Sequence, residues 1–160
     1  MKHILTMLLF VVLVLQAVDL STLVHPIQAQ AKMENPLRIA ALKAGIGDPG
    51  EKILQAVSLA SRQTNLSQEF ILSLMYTESA FDPSAVSSKN YQGLMQIPWK
   101  IHYEDANALI GARIFLEKLK ITNGDYKKAI IIYKGWTIDH PEGKKRADIV
   151  IALARKLKEG

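Results

Sequence analysis

Apolar residues recur at three- and four-residue spacings along most of the chain, and turn-forming residues cut that pattern into short helical segments. Asn35-Pro36 reads as a cap followed by proline in the first helical turn, and Gly45 as a stop. A second start follows at Asp48-Pro49-Gly50-Glu51, with Asp48 as the cap. Ile53, Leu54, Val57 and Ala60 then make one apolar stripe, and Asn65 ends it. Ser67 caps a third segment from Gln68, with Phe70, Ile71, Leu74 and Met75 inward. Phe81-Asp82-Pro83 ends that segment, because a residue before proline disfavours the α region. Residues 84–106 read mostly as loop, with one apolar piece at Leu94, Met95 and Ile97.

Beyond the loop, a helix is expected over 107–120, carried by Leu109, Ile110, Ile114 and Leu119. Asn123-Gly124-Asp125 breaks the chain before a short apolar helix over 129–133. A loop over 135–143 leads to a last helix over 144–158, with Ile149, Val150, Leu153 and Leu157 on one side. No strand alternation, internal repeat or low-complexity segment interrupts this reading, so the expected class is all-α.

The first residues change the picture. Lys2 and His3 precede an uncharged apolar run over 4–18, Asp19 closes it, and Ala29-Gln30-Ala31 has the small-x-small pattern of a signal peptidase site. The expectation is a signal peptide over 1–31, an N-terminal arm over 32–47 and one helical domain over 48–160. An uncleaved anchor is the alternative, although the run falls short of the roughly 20 residues that span a bilayer. Export without a single cysteine excludes disulfides and thiolate metal sites. Only His102 and His140 lie beyond the signal, so a His-rich metal site is not expected, and no cofactor is expected either. The net charge of +5 favours an anionic partner, and for an exported chain the cell wall or a membrane surface fits better than nucleic acid. The same charge also serves solubility. The basic residues near the C-terminus lack the interleaved aromatics of a nucleic-acid surface.

Glu78 breaks the pattern. It stands seven, four and three residues after Ile71, Leu74 and Met75, which are same-face spacings. A carboxylate at the end of a buried stripe is costly unless paired or neutralised, and desolvation raises its pKa. A carboxyl held protonated near neutral pH suits a general acid. On spacing alone, a frayed helix end with Glu78 in solvent explains the sequence as well.

The residues around Glu78 carry a resemblance. Glu78-Ser79, Phe81-Asp82-Pro83, Ala85-Val86-Ser87 and Gly93-Leu94-Met95-Gln96 follow one another as in the soluble-type lytic transglycosylases, a family with a lysozyme-like fold. Asn107 with Gly111, Gly124-Asp125, Ala129 and Tyr133 match further parts of the pattern, and the likeness runs over about residues 50–155. Lys134-Gly135-Trp136 departs from the family's Asn-Ala-Gly, Asn90 stands where a glycine is usual, and the stretch 97–106 is short and lacks Met-Pro-x-Thr.

The resemblance implies a cleft in which Glu78 is the single acid/base. It would protonate the glycosidic oxygen between N-acetylmuramic acid and N-acetylglucosamine, then take the proton of the muramic acid 6-hydroxyl as that oxygen closes a 1,6-anhydro ring. It also implies that Ser79 and Ser87 are hydrogen-bonding groups near Glu78, that Met95 and Gln96 line the groove, and that Tyr133 aims its hydroxyl at Glu78 or the sugar. These residues have plainer readings as well: turn hydroxyls for the serines, core filling for Met95 and Tyr133. Trp99 and Trp136 suit either sugar stacking or packing. Asp82 reads as a turn former rather than a second catalytic carboxylate. The expected partner is the peptidoglycan glycan strand, met by a monomer in the periplasm or cell envelope, with a secretion, pilus or phage assembly as a wider setting that no residue identifies. The alternatives are a hydrolytic muramidase of the goose-lysozyme kind and a non-catalytic wall-binding module.

Overall fold

The structure, a computed structural model, describes residues 35–160, so the expected signal peptide and the first residues of the arm lie outside the described residues. Six helices follow in order: α1 (Pro36–Ala44), α2 (Glu51–Thr64), α3 (Gln68–Ser79), α4 (Glu104–Ile121), α5 (Tyr126–Tyr133) and α6 (Pro141–Glu159). Two isolated bridges, Val86 with Gln92 and Gln92 with Ile97, are the only β pairing among the described residues. The all-α expectation holds. No helix among the described residues is long and apolar enough to cross a membrane.

Several boundaries follow the turn chemistry. The Ser67 hydroxyl accepts the Phe70 N–H at 3.2 Å and opens α3. Asn65 ends α2 in a left-handed conformation, φ 59°. Other boundaries move. Asp48 does not cap α2, because Gly50 intervenes at φ 78°. Its carboxylate instead accepts the Gly50 N–H at 2.8 Å and pairs with Arg38. α3 stops at Ser79, since Ala80 and Phe81 both turn left-handed before Pro83 is reached. α4, α5 and α6 each begin three residues ahead of expectation. Their first turns are polar and carry no apolar period: Glu104 and Asp105 in α4, Asp125 capping Lys128 N–H at 3.0 Å before α5, and Pro141 opening α6 after His140.

α3 is the innermost helix, with Phe70 to Met75 all buried. It packs chiefly on α6, while α2 lies along α4, and α5 touches both α4 and α6. The face that α4 presents to the core differs from the expected stripe. Asn107, Ala108, Gly111, Ala112 and Phe115 are buried, and Ile110, Ile114 and Leu119 only partly so. Small residues win where another part of the chain comes close: a Cβ on Gly111 would stand 2.3 Å from the Met95 Cβ. On α6 the buried positions are Gly143, Ala147, Val150 and Leu157, whereas Ile149 is exposed. α1 adds Leu37, Ala40 and Ala41 to the core and packs on α6.

Candidate active site

The loop between α3 and α4 forms one wall of a cleft, and its hold on α4 explains the residue types in Gly93-Leu94-Met95-Gln96. Asn107 reaches out of the first turns of α4. Its Oδ1 accepts the Met95 N–H at 2.9 Å, and its Nδ2 donates to the Gln92 carbonyl at 3.2 Å. Gly93 lies at φ 78°, and a Cβ there would stand 2.3 Å from Asn107 Nδ2, so only glycine fits. Gly111, one turn along α4, makes room for Met95: a Cβ there would stand 2.3 Å from the Met95 Cβ. Leu94, Met95 and Ile97 are buried, which turns the loop into a rigid lip. Asn90 adopts φ 62°, the left-handed conformation that asparagine tolerates in place of glycine.

Behind this lip a cleft of about 440 Å³ opens, within the usual range for a ligand site. Glu78 at the end of α3 lies in its wall, with Ser87, Gln96, Trp99, Tyr133 and Lys134 among its neighbours. Glu78 is the only carboxylate lining the cleft among the described residues.

The Glu78 side chain is 13% exposed, and Lys134 Nζ lies 2.6 Å from its Oε1. Burial pushes the Glu78 carboxyl above the usual carboxylate range, against the Lys134 ammonium, which pulls it down. Lys134 is itself 8% exposed. It also donates to the Thr77 hydroxyl at 3.0 Å and approaches the Thr77 carbonyl at 3.3 Å. Its ammonium therefore sits where the last carbonyls of α3 concentrate negative potential. Helix fraying, the alternative explanation of Glu78, does not describe this geometry.

The other expected site residues divide. Ser87 and Gln96 line the cleft. Ser87 Oγ accepts the Tyr91 N–H at 3.0 Å, and Gln96 Nε2 donates to the Ala85 and Gly93 carbonyls at 3.1 and 2.9 Å. Ser79 faces the lip: its hydroxyl reaches the Leu94 carbonyl at 3.0 Å and ties the end of α3 to the loop. Met95 is wholly buried against Gly111, so its side chain is core and lends the cleft only backbone support. Tyr133 lines the cleft, but its hydroxyl donates to the Met95 carbonyl at 2.7 Å rather than to Glu78. Burial and the nearby Glu78 charge push its phenol well up, so it stays a neutral donor. Asp82 is exposed and accepts the Ser84 N–H and hydroxyl at 2.7 and 2.6 Å, a turn role that holds its carboxyl low. Trp99 is an exposed part of the cleft wall. Trp136 stacks on His140 at 4.1 Å between ring centres, outside the cleft lining.

Lys134 was not expected in the site. Its only signal in the sequence was the departure from Asn after Tyr133. Lys89 and Lys118 also line the cleft without a sequence signal of their own.

A family model for the transglycosylase SLT domain matches residues 55–137, just over half of the chain. A membrane-bound lytic murein transglycosylase C of Mannheimia succiniciproducens is 46% identical over 46 residues, which is 29% of this chain and 13% of that protein. A protein of the same name from Actinobacillus succinogenes is 48% identical over 46 residues, with the same shares. The similarity thus spans 13% of the length of these curated relatives. No solved structure matches the chain.

Proposed function

The chain belongs to the transglycosylase SLT family, and from that premise we infer that it is a lytic murein transglycosylase with Glu78 as its single acid/base. Protonated Glu78 donates to the glycosidic oxygen between N-acetylmuramic acid and N-acetylglucosamine, and the bond from that oxygen to the anomeric carbon breaks. The Glu78 carboxylate then takes the proton of the muramic acid 6-hydroxyl as that oxygen bonds to the anomeric carbon. The product is a 1,6-anhydro end, and Glu78 recovers its proton. The internal nucleophile is already held close, so no second carboxylate is needed to activate water.

The observation that carries this reading is Glu78 itself: largely buried, raised in pKa and alone among the cleft residues in bearing a carboxyl. Burial favours the protonated acid before the first step, and Lys134 favours the carboxylate formed by it. Tyr133, Ser79 and Gln96 support the walls through backbone carbonyls of the loop. The chemistry requires no metal or cofactor. The proposed setting is the periplasm or cell envelope, reached with residues 1–31 as a signal, where residues 48–160 act as a monomer on glycan strands.

Digestion of purified sacculi followed by mass spectrometry tests the reading. Wild type should release anhydro-ended fragments, and Glu78→Gln should lose about a thousandfold in rate, within the range for a general acid. Reducing ends without the anhydro bridge would make the protein a hydrolytic muramidase. Undiminished release by Glu78→Gln would remove Glu78 from the chemistry.

A further inference from the structure

Three lysines line the cleft against its single carboxylate: Lys89 from the loop, Lys118 from the last turn of α4 and Lys134 after α5. Lys134 is already committed. Its contacts to Glu78, the Thr77 hydroxyl and the Thr77 carbonyl occupy its three donors, and its charge offsets that of the Glu78 carboxylate. Lys89 and Lys118 differ. Among the described residues neither forms a salt bridge. Glu117, the acid next to Lys118 in sequence, is engaged by Lys120 at 2.8 Å. The Lys89 ammonium lies 3.8 Å from where a Cβ on Gly135 would stand, which places it over the turn that carries Lys134.

The cleft therefore presents two uncompensated positive charges. Neutral sugars are held by hydroxyl and acetamide hydrogen bonds and by stacking, and two ammonium groups offer them hydrogen bonds but no charge pairing. A carboxylate gains charge-assisted hydrogen bonds and is drawn in by the focused potential. We propose that Lys89 and Lys118 form an anion subsite that binds a carboxylate carried by the glycan strand. The subsite makes the cleft selective for acidic strands over neutral ones of the same length. It rests on the glycan-cleaving reading above. Two carboxylates share this chemistry: the lactyl group of a muramic acid without its peptide, and the carboxyls of an attached stem peptide.

Binding to Glu78→Gln protein, which holds strands without cutting them, tests the subsite by isothermal titration. Four strands of equal length serve as probes: peptide-free, peptide-bearing, peptide-free with its carboxyls converted to amides, and an N-acetylglucosamine oligomer. The same series on Glu78→Gln with Lys89→Gln and Lys118→Gln added isolates the two lysines, because the freed Lys134 charge is common to both proteins. The carboxylate strands should bind about tenfold more tightly than the amidated strand and the neutral oligomer, the scale of one or two partly exposed charge-assisted contacts. The advantage should shrink with salt and fall in the lysine variants to what the freed Lys134 charge alone supplies. Preference for the peptide-free strand assigns the lactyl carboxylate, and preference for the peptide-bearing strand alone assigns the stem. Equal binding of carboxylate and amidated strands, or a preference undiminished by both lysine substitutions, overturns the subsite. Cleavage by wild type is read separately. Failure to cut any strand sinks the enzymatic reading while the binding series still reports on the subsite.

Discussion

The two walls of the cleft are built on opposite plans. One wall, the Gly93–Gln96 lip, is held almost entirely through backbone groups. Asn107 takes the Met95 N–H, Ser79 and Tyr133 reach the Leu94 and Met95 carbonyls, and Gly93 and Gly111 clear the space. The other wall, at the end of α5, meets the end of α3 through one charged side chain, Lys134, on Glu78 and Thr77. A wall tied by backbone bonds and close approach accepts very few residue types at each position. A wall tied by a flexible side chain tolerates a different residue by changing electrostatics instead of shape. The lip accordingly follows the family pattern, and the α5 end departs from it.

Substitutions sharpen that contrast. The largest stability effect should come from the lip: Gly111→Val drives a side chain into Met95 and should cost at least about 2 kcal/mol, read as a fall of several degrees in Tm. Asn107→Leu leaves the buried Met95 N–H without its acceptor and should cost about 1–3 kcal/mol by urea unfolding. If either variant proves as stable as wild type, the lip is not held as described.

Lys134→Met should act mainly through charge. Glu78 is already raised by burial, and loss of the ammonium raises it further. The alkaline limb of the pH–rate profile should therefore move to higher pH. The sign for stability runs the other way. A carboxyl with a raised folded pKa contributes stability that is present below its unfolded pKa and lost as pH rises through the folded value. The variant should lose more on that rise, so its deficit against wild type should be small in acid and widen toward neutral pH. A pH-independent deficit, with an unmoved profile, would mean that Lys134 only packs. The smallest effect should come from Asp82→Asn. Asp82 lies outside the cleft lining and serves a surface turn, so sacculus digestion should stay within about twofold of wild type, as for an exposed turn residue. A large loss would bring a second carboxylate into the chemistry.

Much of this was legible in the sequence, for identifiable reasons. Ser67, Asn65 and Gly45 act on their immediate neighbours, so their turns could be read without a partner. The polar first turns of α4, α5 and α6 carry no apolar period, so periodicity alone starts each helix late. The inward face of α4 is not legible from bulk, because Ile110, Ile114 and Leu119 are only partly buried. Its buried positions Ala108, Gly111 and Ala112 are small, and at Gly111 the reason is Met95 lying against it. In the site, the order Glu78-Ser79 then Gly93-Leu94-Met95-Gln96 is legible in the sequence, whereas the burial of Met95 and the bond from the Tyr133 hydroxyl to its carbonyl are not. Both belong to the support of the lip.

By itself the sequence determined an all-helical chain, its turn positions and a carboxyl at the inner end of α3, because periodicity, caps and left-handed turns are properties of a few adjacent residues. Only the tertiary structure decided what faces that carboxyl. Lys134 comes from 56 residues away, and its place on Glu78 depends on how the ends of α3 and α5 meet. The same meeting sends the Tyr133 hydroxyl 38 residues back to Met95. Local patterns specify which residue is buried. The partner that answers a buried charge is set by which helix ends converge, and that is a property of the packed chain.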